Sequence, residues 1–279
     1  MKRLNIIRNH LASKKLISSF KSDLVQIESH NNKVKIVRLT NYNKLNALSD
    51  DLLKDLYKAL LILERDDNTK VIVLTGNEKV FCAGADISSL SDTTYPKILK
   101  YDFLQYVERI SYEISKPLIA AVSGFCFGGG FELALTCDII GTTKPTKFGF
   151  PEIKLGLFPG AGGTQRITRL CGYYKASEMI LTGDTYNAET MKSLNIVNFI
   201  FPNYTALMKH TLDLAEKISN YSLLALKTAK RSLKVSNETT LRQGLDTERS
   251  IFYGLLTTND KKIGTEAFLK KQTPSFDDN

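Results

Sequence analysis

Apolar positions along the chain change their period several times, and each change marks an element. Leu24 to Glu28 and Val34 to Thr40 flank the polar stretch Ser29-His-Asn-Asn-Lys33, which predicts a β-hairpin. Ser49 is a good N-cap, and Leu52, Leu53, Leu56, Leu60 and Leu63 then recur on one helical face, so a helix is expected to about Glu64, ended by Asp66-Asp-Asn. Val71 to Thr75 is a short apolar, β-branched run, and Leu118 to Val122 a second apolar run. Both suit strands buried on two faces of a parallel sheet. Between them a helix is predicted from Ile98 to Ile114, broken by Lys116-Pro117, and Asp138 to Thr142 reads as a further strand. Beyond Thr164 the chain turns helical: Thr164 to Leu170, Tyr174 to Leu181, Ala188 to Leu194, then, after a short strand at Ile196 to Phe201, Tyr204 to Ser219, Ser222 to Leu233, Thr239 to Thr257 and Asp260 to Lys271. Strand–helix alternation followed by a helical tail predicts one α/β core with a helical C-terminal region.

Three glycine-bearing loops interrupt this pattern. Phe81-Cys-Ala-Gly-Ala-Asp-Ile87 follows one strand. Ser123-Gly-Phe-Cys-Phe-Gly-Gly-Gly-Phe-Glu132 follows another, and Phe148 to Gly163 is a long stretch punctuated by Gly and Pro. Adjacent glycines at 128, 129 and 130 let the backbone approach another molecule closely, and a helix starting there would aim unpaired N–H groups at it. The run could equally be a close-packing point. Each of two acids, Glu132 and Glu152, taken alone could be an ordinary surface glutamate. If the two loops face one cleft, the pair suits proton removal and delivery beside a carbonyl whose enolate oxygen is stabilised by main-chain donors.

Composition narrows the alternatives. The 279 residues are 43% hydrophobic and 24% charged, as in a soluble globular protein, and no apolar run is long enough to span a bilayer. Of the formal charge of +9, the acid-free opening Met1 to Ser22 supplies six, leaving +3 for the rest. A uniform basic surface for nucleic acid is therefore not expected. That opening has the Ser-rich, basic, Leu/Ile-dotted composition of a mitochondrial transit peptide, the alternative being a basic tail without an address. Cys82, Cys126, Cys137 and Cys171 have neither zinc-site nor disulfide-framework spacing, and His10, His30 and His210 lie far from every glycine loop. No phosphate-binding Gly-x-x-x-x-Gly-Lys or dinucleotide Gly-x-Gly-x-x-Gly pattern is present.

Several motifs in order carry a resemblance: Ala83-Gly-Ala-Asp86, Ala120-Ala-Val-Ser-Gly124 with Gly128-Gly-Gly-Phe-Glu-Leu-Ala134, Cys137-Asp138, and Phe150-Pro-Glu-Ile-Lys-Leu-Gly156 followed by Pro159-Gly-Ala-Gly-Gly-Thr-Gln-Arg166. From Leu24 to Phe276 the chain resembles the enoyl-CoA hydratase/isomerase (crotonase) family. The resemblance implies a spiral of ββα units forming two roughly perpendicular sheets over residues 23–203. Residues 204–279 would be a helical region that builds trimers, often paired into hexamers; residues 1–22, ahead of the resemblance, are the transit peptide expected from their composition.

The resemblance also implies an oxyanion hole from the N–H groups of Ala85 and Gly129. Glutamates at both 132 and 152 match the hydratases. In that pattern Glu132 deprotonates a water attacking Cβ and Glu152 protonates Cα, so that a 2-trans-enoyl-CoA becomes a 3-hydroxyacyl-CoA in fatty-acid β-oxidation in the mitochondrial matrix. No metal or redox cofactor is implied, coenzyme A being part of the substrate. Ala83, Asp86, Ile87 and Ser88 match the positions that contact the CoA moiety, although a basic residue frequent at the position of Ser88 is absent. Lys271 matches a lysine that reaches CoA phosphates from a neighbouring subunit, and Phe252 and Tyr253 match an aromatic pair near the acyl pocket. Within the family, the rival readings are a methylglutaconyl-CoA-type hydratase, some members of which bind RNA, and an enoyl-CoA isomerase.

Overall fold

The computed structural model describes residues 17–87, 94–96, 102 and 104–278. The predicted hairpin is present as β1 (Val25–Ser29) and β2 (Val34–Leu39), antiparallel, with Val25 opposite Leu39. Its turn is held by the Asn31 side chain, which accepts from the N–H groups of Lys33 and Val34. Helix α1 (Asp50–Arg65) begins at Ser49, whose side chain accepts from Leu52 N–H, and buries the leucine face that its periodicity predicts.

Strand β3 (Val71–Thr75) is followed by a three-residue strand, β4 (Val80–Cys82), then by α2 (Gln105–Glu113), β5 (Leu118–Val122) and a second three-residue strand, β6 (Phe125–Phe127). The helix expected from Ile98 is described from Gln105 on; residues 97–101 and 103 lie outside the described residues. Next come α3 (Gly129–Ala134), β7 (Ile139–Thr143), β8 (Lys147–Gly149), a 3-10 turn at Pro151–Leu155, α4 (Gly163–Cys171), α5 (Tyr173–Thr182), β9 (Thr185–Asn187) and α6 (Ala188–Ser193). Strand β10 (Phe199–Phe201) leads into α7 (Tyr204–Ser219), α8 (Leu223–Val235), α9 (Leu241–Leu255) and α10 (Asn259–Leu269).

Two sheets result. The larger has the order β1-β2-β3-β5-β7-β10 and is parallel from β2 onward, with Ile72 opposite Leu118 and Ile119 opposite Ile139. Both faces are covered, which is why β3 and β5 read as unbroken apolar runs. On β3, Ile72 and Leu74 join the main core with the α1 leucines, while Val71 and Val73 face the opposite way onto Leu207 and Ala215 of α7. On β5, Leu118, Ala120 and Val122 take the first side and Ile119 and Ala121 the second, as the two-residue strand period requires.

The smaller sheet, β4-β6-β8-β9, consists of strands of three residues each. Sequence pattern alone places these stretches in loops, because three residues are too few to show a period. Tertiary contacts hold them: Phe131 of α3 stacks on Phe150 with centroids 4.9 Å apart and tilts against Phe148 of β8 at 5.2 Å. Gly130 packs α3 directly onto β4, since a Cβ there would stand 2.3 Å from the Cys82 carbonyl oxygen. Cys82 and Cys126 face each other as free, buried thiols across β4 and β6. Among the described residues, no helix is long and apolar enough to cross a membrane.

Candidate active site

The smaller sheet delivers the three glycine loops to one place. Gly84, with φ +109°, turns the chain after β4 so that residues 84–86 run beside Leu48. Leu48 N–H donates to Gly84 O at 2.8 Å and Asp86 N–H to Leu48 O at 3.1 Å. In such a parallel bridge the intervening Ala85 N–H points to the other side of the strand, and it has no partner among the described residues. Gly129 is the first residue of α3, where a helical N–H has no intrahelical acceptor. A methyl group on Gly129 would lie 3.8 Å from Ala85 N and 3.9 Å from Glu132 Oε2, so the two main-chain donors and one carboxyl oxygen border the same space.

Glu132 is 2% exposed. Its Oε1 accepts from Gly163 N–H at 2.6 Å and Ala161 N–H at 2.8 Å, while Oε2 has no partner among the described residues. Burial pushes its pKa up, and the N–H groups of Gly163 and Ala161 and the nearby Arg166 charge pull against that shift.

Glu152, on the 3-10 turn, has a different environment. Oε2 is buried with no hydrogen-bond partner, and Oε1 lies 2.6 Å from where a Cβ on Gly128 would stand. Burial, opposed only by its own main-chain N–H and reinforced by the Glu132 charge, raises its pKa to about 7. The two carboxyls are thus unequal: one is anchored by two donors, while the other is weakly solvated and poised near neutrality.

Ala85, Gly129, Glu132 and Glu152 therefore converge. The other expected binding residues are arranged around them less closely. Ala83 N–H is used internally, donating to Leu45 O at 3.0 Å, and Asp86 pairs with Lys44 at 3.0 Å. Ile87 is half exposed beside the loop, and Ser88 lies outside the described residues. Lys271 follows α10 with φ +52°, and among the described residues no hydrogen bond or ion pair joins it to the cluster. Phe252 and Tyr253 are exposed on α9.

Sequence reasoning assigned no role to Ala161 or Gly163. Their contribution is a main-chain N–H, for which no residue type is diagnostic; the Gly-Ala-Gly-Gly run that exposes those groups was the only available signal. Among the described residues no group of His, Cys, Asp and Glu is set to hold a metal ion.

The enoyl-CoA hydratase/isomerase family model matches residues 29–279. The mitochondrial enoyl-CoA hydratase of Pongo abelii is 40% identical over 261 residues, covering 94% of this chain and 89% of that protein. The 2,3-dehydroadipyl-CoA hydratase of Escherichia coli is 39% identical over 250 residues, covering 90% of this chain and 97% of that protein. Among solved structures, an enoyl-CoA hydratase from Bacillus anthracis superposes with a TM-score of 0.87 at 32% identity, covering 92% of this chain and all of that one. The two-sheet core with its helical C-terminal region is the crotonase fold, and the chain is an enzyme of that class. It belongs to the enoyl-CoA hydratase/isomerase family.

Proposed function

We propose that this enzyme adds water across the C2–C3 double bond of a straight-chain 2-trans-enoyl-CoA, giving a 3-hydroxyacyl-CoA. The supporting observation is the inequality of Glu132 and Glu152 beside two unengaged main-chain donors. The thioester oxygen sits between Ala85 N–H and Gly129 N–H. Glu132, ionised, takes a proton from water through Oε2 as the water oxygen bonds to C3. The C2–C3 π electrons move onto the thioester as an enolate, which the two donors stabilise; one such donor is worth about 3 kcal/mol. Glu152, protonated near neutrality, gives its proton to C2 and the thioester carbonyl re-forms. Glu132 ends protonated and Glu152 ionised, and exchange with solvent restores both.

The surroundings of the reaction belong to the same reading. Ala83, Asp86, Ile87 and Ser88 bind the CoA moiety from the rim, and Lys271 reaches its phosphates from a neighbouring subunit. Residues 204–279 assemble trimers or paired trimers. The work is fatty-acid β-oxidation in the mitochondrial matrix, with a removed leader within residues 1–22, a reading supported by the acid-free basic opening and by the likeness to the mitochondrial enoyl-CoA hydratase of Pongo abelii.

The test is crotonyl-CoA hydration, followed by loss of enoyl-thioester absorbance, for the wild type, Glu132→Gln and Glu152→Gln. Each variant should lose about 10²- to 10⁴-fold in kcat. Near wild-type kcat in both would remove the two-carboxylate mechanism.

A further inference from the structure

The loop that holds Glu132 is itself held from behind. Arg166, in α4, turns its guanidinium back over the start of its own helix: Nη1 donates to Ala161 O at 2.9 Å and Nη2 to Ser111 Oγ at 3.1 Å. Ala161 is therefore bonded on both sides, its N–H to the Glu132 carboxylate and its carbonyl to the arginine. The intervening Gly162 has φ +103°, and a Cβ there would stand 2.0 Å from Nη1, so the guanidinium occupies the space that the absent side chain leaves open. Ser111 is anchored in turn to α2 through Glu108 O at 2.7 Å. The guanidinium also lines a cavity of about 820 Å³ bordered by Ala161, Gly162, Glu108, Ser111 and Lys234, at the junction of α2, α4 and α8.

We propose that Arg166 is a positioning residue for Glu132: its two-pronged clamp fixes the Ala161–Gly163 donors at the carboxylate. The charged and titratable groups facing the pair are Glu152 from the 3-10 turn, Glu108 and Tyr112 from α2 and Lys234 from α8. Of the cations, Arg166 acts on Glu132, and it favours the ionised form. Without it the Glu132 pKa should rise and the carboxylate should lose its fixed direction. Arg166 itself stays charged, because a guanidinium does not deprotonate in proteins.

The kinetic consequence rests on the hydratase reading; the electrostatic one does not. Glu132 ionisation can be followed by its infrared carboxylate band, assigned by difference from Glu132→Gln, in wild type, Arg166→Gln and Arg166→Lys. Arg166→Gln should raise the Glu132 midpoint, because the Ala161 and Gly163 donors loosen and the nearby positive charge is lost. Its kcat for crotonyl-CoA should fall about tenfold or more with KM little changed, since a small displacement of the base penalises the chemical step. Arg166→Lys should restore the midpoint but only part of kcat, because the charge returns without the planar fork. An unmoved midpoint in Arg166→Gln would overturn the proposal whatever happens to kcat. Should that variant fail to fold, Ser111→Ala removes one prong alone; unchanged kcat there would also overturn it. If wild type does not hydrate crotonyl-CoA, the hydratase reading fails and the titration still decides the role of Arg166.

Discussion

Glu152 Oε1 occupies the space that a side chain on residue 128 would need, 2.6 Å from the Cβ position of Gly128. Gly128 also has φ +50° and ψ −128°, a conformation costly for any residue with a Cβ. Gly128→Ala should therefore act twice, straining the turn that presents the Gly129 donor and displacing the Glu152 carboxyl. We expect kcat to fall about 100-fold, with a loss of about 2 kcal/mol in stability by urea denaturation. Gly156→Ala is the comparison: its φ is +72°, yet nothing lies within 4 Å of the added methyl. It should lose about 1 kcal/mol of stability and keep its kcat.

In the proposed mechanism hydration begins with Glu132 ionised and Glu152 protonated, and dehydration with the reverse. Both are one-proton states of the same pair, so pH profiles of kcat/KM for crotonyl-CoA hydration and 3-hydroxybutyryl-CoA dehydration should superimpose as one bell. Its alkaline limb should fall from about 7, where the pair loses its last proton through Glu152. Glu152→Gln should abolish that limb. Profiles with different limbs in the two directions would contradict a shared proton.

The same titration enters stability. A carboxyl raised from 4.5 to about 7 binds more protons folded than unfolded, so the fold weakens as pH rises through that window and the full penalty is present above about 7. Relative to wild type, Glu152→Gln should gain on the order of 1 kcal/mol at pH 8 over its standing at pH 4, after allowance for solvent screening of a half-buried group. Urea midpoints at the two pH values measure this.

Lys116 is 1% exposed, and its Nζ donates to the carbonyls of Leu63 and Asp66 at the end of α1, both at 2.7 Å. Burial lowers its pKa to about 8. Lys116→Met would fill the space but leave each carbonyl with its main-chain donor alone, Asp66 N–H on Leu63 O and Thr69 N–H on Asp66 O, at a cost of about 2 kcal/mol, with kcat of the folded fraction unchanged.

Residues 17–22 bear on where a stable chain can start. Ile17 and Phe20 pack against the core, and Ser22 Oγ donates to Asp55 at 2.8 Å while accepting from Leu24 and Val25 N–H. A chain starting at residue 23 should be about 2 kcal/mol less stable than one starting at residue 17, by thermal or urea denaturation.

What the sequence made legible follows from the length of each signal. The leucine stripe of α1 and the apolar runs of β3 and β5 are long enough to show a period, and these elements end within a residue or two of where the pattern stops. Phe125–Phe127 and Lys147–Gly149 are not; they are strands only because α3 and the Phe131, Phe148 and Phe150 rings press them together. At the site, Glu132 and Glu152 could be chosen because glycine and proline surround them. Their different surroundings were beyond reach, because Ala161 and Gly163 act through N–H groups that every residue except proline has.

The donor at Ala85 belongs to the path of the chain, not to a side chain. A point mutation at residue 85 can enlarge or charge the wall of the cleft but, short of proline, leaves the N–H where it is. The two glutamates have no such protection, since one base change can replace either. On the proposed mechanism, descendants of this gene can lose or exchange water chemistry by ordinary substitution while the enolate-holding frame persists, so new reactions on CoA thioesters are most accessible at positions 132 and 152.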